Sequence, residues 1–176
     1  METSKDLGLW ILRHAKAAQI GTDGDITRPL TKNGRHQADL VREHLEALAT
    51  VERLPTLVIS STAARARETA EAVMPALTGA RIEFERDLYT QDADGVVDLI
   101  KLLDPDDKSI MIVGHNPTLQ DLCVMLAEQS YAQKLEQDGL PTSTLVGLAQ
   151  RGASSWNELS AGSCSLVHRF VPKPKS

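Results

Sequence analysis

The stretch Leu7-Gly8-Leu9-Trp10-Ile11-Leu12-Arg13-His14 ends an apolar run with a guanidinium and an imidazole. Such a run predicts a buried β-strand with a polar carboxyl end. The pattern recurs at residues 57–60, which lead to Arg65, and at residues 110–113, which lead to His115. Because ligands of open α/β sheets bind beyond the carboxyl ends of the strands, these ends are expected to bring two arginines and two histidines together.

Strand and helix patterns alternate over the first 130 residues. This predicts an α/β fold of three layers, with a mostly parallel central sheet and helices on both faces. The strands after the first are predicted at residues 56–60, 82–85, 109–113, 144–149 and 165–170. The helices are predicted at residues 32–49, 63–77, 94–103 and 116–128. Their expected N-caps include Thr31, either Ser61 or Thr62, and Asn116.

Length and composition limit the class of protein. A chain of 176 residues with 41% hydrophobic content favours one domain over residues 1–176. A net charge of −5, without a cluster of Lys and Arg, argues against nucleic-acid binding. Residues 1–6 lack a signal-peptide pattern and no run approaches the roughly 18 apolar residues of a membrane span, so a cytoplasmic protein is expected. The tail at residues 172–176 is expected to fray.

The residues at the strand ends suit phosphoryl transfer. A neutral histidine, with an ordinary pKa of about 6.5, is a good nucleophile at pH 7, and arginine binds phosphate oxygens with a planar fork. Arg65 is also expected in the first turn of a helix, where free backbone N–H groups favour an anion. The sequence contains no P-loop, no Cys-x₅-Arg loop, no Cys-x-x-Cys spacing and no visible group of histidines and carboxylates for metal hydrolysis.

Four motifs carry a resemblance to a known family. In chain order they are Leu12-Arg13-His14-Ala15-Lys16, Arg28-Pro29-Leu30-Thr31 with Asn33-Gly34, residues 61–69, and Val113-Gly114-His115-Asn116-Pro117. The first resembles the Arg-His-Gly (RHG) signature of the histidine phosphatase superfamily, and the order, spacing and length are similar to its SixA-type phosphohistidine phosphatases. The resemblance covers nearly the whole chain and implies a single histidine phosphatase domain over residues 1–176. Thr62, where the family commonly has Pro, and Ala17, where close relatives often have Ser, depart from it.

The resemblance implies a role for each residue of the site. His14 would be the nucleophile that is transiently phosphorylated, and Arg13, Arg65 and His115 would bind the phosphoryl oxygens. Water would then hydrolyse the phospho-His14 intermediate, and no metal or cofactor is expected. Arg28 resembles a further phosphate-binding position near the pocket, although it could equally tie a loop to a carboxylate.

The residue after His115 bears on the substrate. Larger acid phosphatases of the superfamily carry an aspartic acid there as proton donor, and the mutases use a mid-chain glutamate; this chain has Asn116, and residues 86–89 show no clear equivalent. General acid catalysis contributes about 10²–10⁴-fold, whereas a phosphohistidine releases an imidazole that takes its own proton near neutral pH. The leading interpretation is therefore a phosphohistidine phosphatase acting on a phosphorelay or phosphotransferase protein in signal transduction.

Two alternatives stay open. One is a small-molecule phosphomonoesterase or mutase of the same fold, and the other is a phosphoprotein-binding module with negligible turnover. Lys16 is open between the pocket rim and solvent, and Asp87 between a turn and the pocket. The remaining histidines, His36, His44 and His168, are expected at the surface or in packing.

Overall fold

The computed structural model describes residues 6–173, which form a six-stranded sheet and the helices around it. Its strands are β1 (Leu7–Arg13), β2 (Leu57–Ser61), β3 (Arg81–Glu85), β4 (Ser109–Gly114), β5 (Leu145–Gln150) and β6 (Ser165–Phe170). They lie in the order β3-β2-β4-β1-β5-β6. Strands β1 to β4 are parallel to one another, β5 pairs antiparallel with β1, and β6 pairs antiparallel with β5. Residues 1–5 and 174–176, on which parts of the signal-peptide and tail predictions fall, lie outside the described residues.

Helices cover both faces of this sheet. They are α1 (Lys32–Leu48), α2 (Ala64–Val73), α3 (Asp87–Thr90), α4 (Ala93–Lys101), α5 (Thr118–Leu126) and α6 (Gln129–Asp138). Successive side chains of β1 point to opposite faces. Leu9 and Ile11 therefore join one core with α4, α5 and α6, while Trp10 and Leu12 join a second core with α1 and α2. Burial on both faces explains the uninterrupted apolar run and confirms the predicted fold class.

The strands agree with the prediction within one or two residues, but two predicted helix caps are wrong. Ala63, not Ser61 or Thr62, is the N-cap of α2, because Ser61 still belongs to β2. Pro117, not Asn116, is the N-cap of α5, and the Asn116 side chain instead donates to the carbonyl oxygen of Leu140 at 3.0 Å.

Three helices also differ from the prediction. Helix α2 ends at Val73 rather than at residue 77 because Pro75, which has no N–H group, lies in the 3-10 turn Met74–Ala76 that follows. Helices α3 and α6 were not predicted from the sequence. Among residues 6–173 no helix has both the length and the apolar character to cross a membrane.

The start of α1 holds the segment that follows β1. Thr31 caps the helix as predicted, its hydroxyl accepting from the Gly34 amide at 2.9 Å, and the Thr31 amide donates to the carbonyl oxygen of Lys16 at 2.9 Å. A Cβ atom on Gly34 would collide with that same oxygen. Only glycine therefore allows α1 to approach the chain two residues after His14 this closely.

Candidate active site

Three parallel strands end at the same edge of the sheet. In the β1–β4 register Arg13 lies opposite Gly114, and the His14 amide donates to the Gly114 carbonyl at 2.9 Å. The rings of His14 and His115 consequently lie side by side, with centroids 5.2 Å apart. Helix α2 follows β2, the strand on the other side of β4, and carries Arg65 in its first turn as predicted. We call Arg13, His14, Arg65 and His115 the strand-end cluster.

The ring of His14 is held in one tautomer. Its Nδ1 lies 2.8 Å from the carbonyl oxygen of Ala15, and because a carbonyl can only accept, Nδ1 carries the proton. The side chain is buried, and burial, together with the positive charges of Arg65, Arg13 and Arg28, lowers its pKa to about 4. At neutral pH the ring is therefore uncharged and has its lone pair on Nε2.

His115 is also uncharged at neutral pH. Burial, followed by the charge that His14 carries once it is protonated and by the charge of Arg65, lowers the pKa of His115 to about 3. Its Nε2 lies 2.7 Å from the hydroxyl oxygen of Ser61. The rings of His115 and Tyr89 meet edge to face, with their centroids 5.7 Å apart. The Ser61 oxygen also accepts from the Ala63 amide at 3.2 Å. When the Ser61 hydroxyl donates to Nε2, the single proton of the His115 ring lies on Nδ1.

The two arginines of the strand-end cluster are each fixed at one end. Nη1 of Arg13 donates to the carbonyl oxygen of Leu140 at 2.7 Å, and burial lowers the pKa of Arg13. Nη1 and Nη2 of Arg65 donate to the backbone oxygen and the Oδ2 of Asp25 at 2.9 and 3.0 Å. The Nε of Arg13, the Nε of Arg65 and the Nδ1 of His115 are buried and have no protein partner within residues 6–173. Buried N–H groups without acceptors cost free energy, so an oxyanion that accepts from them would be stabilised.

Arg28 does lie beside the strand-end cluster, through Asp25. Its Nε is 3.2 Å from Oδ1 of Asp25, whose other oxygen accepts from Arg65 and, at 2.8 Å, from the hydroxyl of Tyr89. Arg28 therefore ties a loop to a carboxylate, and its charge also acts on His14. Its role in binding phosphate stays a prediction.

Sequence reasoning missed Asp25 and Tyr89. Asp25 stands in a loop of Gly, Asp and Thr whose composition indicates only a turn. The spacing Asp25-x-x-Arg28 was the available signal, because residues three apart in a 3-10 turn lie on one side. Tyr89 carried no such signal, since it approaches the site from α3, far along the chain.

The other candidate residues differ in exposure and packing. Lys16 and Asp87 are exposed. Arg67 is likewise exposed and stacks its guanidinium over the ring of Phe84 at 3.9 Å. The Nε2 atoms of His44 and His168 are 2.6 Å apart, and the His44 ring stacks on Phe170 at 4.0 Å, which confirms a packing role for both histidines.

Comparisons with known proteins agree with this architecture. A family model described as the histidine phosphatase superfamily (branch 1) matches residues 9–95. An uncharacterized protein of Mycobacterium tuberculosis is 31% identical over 171 residues, covering 92% of this chain and 100% of the relative. The crystal structure of a proposed phosphohistidine phosphatase SixA from Agrobacterium tumefaciens is 29% identical, with a TM-score of 0.77 over 94% of this chain and 98% of that chain. The structure of a second proposed phosphohistidine phosphatase SixA, from Nakamurella multipartitia, is 24% identical with a TM-score of 0.79 over 95% of this chain and 96% of that chain.

The fold, the matched family model and these similarities define a phosphatase. The chain belongs to the histidine phosphatase superfamily, and within branch 1 it is SixA-like. This confirms the resemblance carried by the four sequence motifs.

Proposed function

We propose that the protein is a phosphohistidine phosphatase that removes a phosphoryl group from a histidine of a phosphorelay or phosphotransferase protein, through a phospho-His14 intermediate. The observation that carries this proposal is the state of the His14 ring. The ring is neutral because its pKa is about 4, and its Nδ1–H is committed to the Ala15 carbonyl oxygen. Its Nε2 lone pair is therefore available for nucleophilic attack at neutral pH.

In the first step Nε2 of His14 forms a bond to phosphorus while the bond from phosphorus to the leaving nitrogen breaks. The leaving imidazole keeps that electron pair and takes a proton from solvent. The N–H groups without protein partners on Arg13, Arg65 and His115 would hold the phosphoryl oxygens, and the charges of the arginines would offset the developing negative charge. In the second step water attacks phosphorus and the bond from phosphorus to Nε2 breaks. Inorganic phosphate leaves the site, and His14 returns to its neutral form.

The surroundings of His115 favour a substrate with a good leaving group. The side chain after it, Asn116, is an amide, and its nitrogen is engaged with the carbonyl oxygen of Leu140. An amide cannot give up a proton as a carboxylic acid does, so a strongly basic alkoxide would leave slowly. An imidazole needs no such donor, which supports phosphohistidine as the substrate class. The proposed SixA structure from Agrobacterium tumefaciens, at 29% identity, supports the same assignment.

The proposal is tested by comparing substrates. The purified chain is incubated, with a metal chelator present, with a phosphohistidine-bearing phosphotransfer protein, an aryl phosphate and an alkyl phosphate, and kcat/KM is measured for each. We expect turnover of the phosphohistidine protein, slower turnover of the aryl phosphate and the slowest rate with the alkyl phosphate. Similar rates on all three would favour a small-molecule phosphatase, and binding without turnover would favour a phosphoprotein-binding module.

A further inference from the structure

Asp25 is the one carboxylate that contacts two arginines of the site among the described residues 6–173. Its backbone oxygen and its Oδ2 accept from the two terminal nitrogens of Arg65, at 2.9 and 3.0 Å. Its Oδ1 pairs with Nε of Arg28 at 3.2 Å, and the Tyr89 hydroxyl donates to Oδ2 at 2.8 Å. Neither the family resemblance nor the proposed mechanism gives this residue a role.

The loop that carries Asp25 is closed at its base. Ala17 and Leu30 form an antiparallel bridge, and the Ala18 amide donates to the carbonyl oxygen of Pro29 at 2.8 Å. Asp25 then begins the 3-10 turn Asp25–Thr27. The loop therefore holds the carboxylate against Arg65 from the solvent side, with the Asp25 side chain 52% exposed and that of Arg65 only 7% exposed.

Arg65 can hold Asp25 and a second anion at the same time. Asp25 takes the end of the guanidinium formed by Nη1 and Nη2, whereas Nε, on the side of the fork, is buried without a protein partner within residues 6–173. A guanidinium has five N–H donors on two usable edges. Asp25 thus holds Nη1 and Nη2 of Arg65 in place, and the Nε–H group of Arg65 stays available for an oxyanion.

The carboxylate also sets the charge of the site. Arg13, Arg28 and Arg65 would together present three positive charges to a phosphate dianion, and the Asp25 carboxylate reduces this to a net charge of two. The hydrogen bond from Tyr89 and the pairing with the arginines lower the pKa of Asp25, so the negative charge is present at neutral pH. Because charge interactions act over several ångströms, the carboxylate weakens the attraction that a released phosphate experiences.

We propose that Asp25 is a positioning residue that aims the Nε side of Arg65 at the phosphoryl group, and that its charge keeps the affinity of the site for inorganic phosphate low enough for rapid product release. This inference rests on the proposed function and deepens it. It adds a determinant of product release to a site otherwise described only by its phosphate-binding groups.

Asp25→Asn separates charge from shape. Asparagine has nearly the same size and keeps the backbone oxygen that accepts from Arg65, but it carries no charge. The matched control is Asp23→Asn, which removes one charge from the same loop, where Asp23 is exposed and its backbone amide, at 2.8 Å, donates to the hydroxyl of Thr27. The dissociation constant of inorganic phosphate is measured by calorimetry, and its inhibition constant is measured in aryl phosphate hydrolysis.

We expect Asp25→Asn to bind inorganic phosphate about tenfold more tightly than the wild type in both measurements, with a lower kcat. Asp23→Asn should stay within twofold, and Asp25→Glu, which restores the charge, should return the phosphate affinity toward the wild-type value. A gain in affinity is diagnostic because a damaged site would bind phosphate more weakly. If Asp25→Asn does not fold, Asp25→Ser provides the same comparison with a second neutral side chain.

Unchanged or weaker phosphate binding in the neutral Asp25 variants, beside a wild type that hydrolyses its substrates, would overturn the role of Asp25 alone. A wild type that neither binds phosphate nor hydrolyses any of the phosphorylated substrates would overturn the proposed function, and this inference with it.

Discussion

Replacing Arg65 with lysine keeps a positive charge in the first turn of α2 but removes the planar fork that serves two partners at once. In the wild type the two terminal nitrogens of the guanidinium donate to Asp25 through hydrogen bonds of 2.9 and 3.0 Å, while Nε is buried without a protein partner within residues 6–173. A lysine ammonium is a single point charge and cannot donate both to Asp25 and to the phosphoryl group with the geometry of a guanidinium. We therefore expect Arg65→Lys to lose at least one charge-assisted contact to the phosphoryl group.

The size of the effect follows from the strength of such a contact. A hydrogen bond to a charged group contributes about 1.5–3 kcal/mol, which corresponds to a fall in kcat/KM of about 10- to 150-fold. The side chain of Arg65 is only 7% exposed, so water cannot readily replace the lost donors. The assay is steady-state hydrolysis of an aryl phosphate and of a phosphohistidine protein, with thermal unfolding measured in parallel.

Arg67→Lys is the matched control for this prediction. Arg67 lies in the same helix, two residues further on, and its guanidinium stacks over the Phe84 ring rather than facing the strand-end cluster. A lysine there keeps the charge and can still approach the aromatic face, so kcat/KM should stay within about twofold. Kinetics of Arg65→Lys that cannot be told from those of Arg67→Lys would refute the assignment of Arg65 to phosphoryl binding.

Three further predictions follow from the same geometry. His14→Ala should reduce turnover to background and abolish the acid-labile phosphate label that rapid quenching traps on His14 of the wild type; a variant that still turns over near the wild-type rate would exclude covalent catalysis by this residue. The pKa values of His14 and His115, about 4 and about 3, lie below the ordinary histidine value of 6.5. At pH values between the lowered pKa and 6.5, the unfolded chain therefore binds more protons than the folded chain. The free energy of unfolding should therefore fall as pH drops from about 6.5 toward 4 and stay level above, and denaturant titrations should show a smaller fall for His115→Asn; an identical slope would contradict the shift of His115. Asn116→Asp should destabilise the fold at pH 7 by about 1–3 kcal/mol, because a carboxylate cannot donate to the carbonyl oxygen of Leu140; thermal unfolding with no loss of stability would show that this hydrogen bond contributes little.

The expectation that Asn116 caps a helix illustrates where local sequence rules stop. Asparagine before proline is typical of a helix start, yet the Asn116 side chain does not cap α5 and instead donates to the carbonyl oxygen of Leu140, which lies 24 residues further along the chain. A contact of this kind depends on where the segment after α6 returns to the sheet. No spacing within the motif records that path.

The sequence by itself determined the framework of the protein. Runs of apolar residues buried on both faces predict parallel strands, and a polar residue can follow such a run only at the strand end, so the positions of Arg13, His14 and His115 were readable in advance. The predicted helix start near residue 63 likewise placed Arg65 in the first turn of α2. These features depend on neighbours within a few residues, which is the range over which backbone geometry acts.

Tertiary structure alone decided how the site is charged and held. Asp25, Tyr89 and Leu140 come from a loop, a short helix and a chain reversal, separated by 64 and 51 residues in sequence, and each meets the strand-end cluster only after the sheet has assembled. The neutral state of His14 at pH 7 is decided in the same way, because its lowered pKa comes from burial and from guanidiniums on three different segments. Burial and charge at a point depend on everything packed around it, and a linear pattern cannot specify that environment.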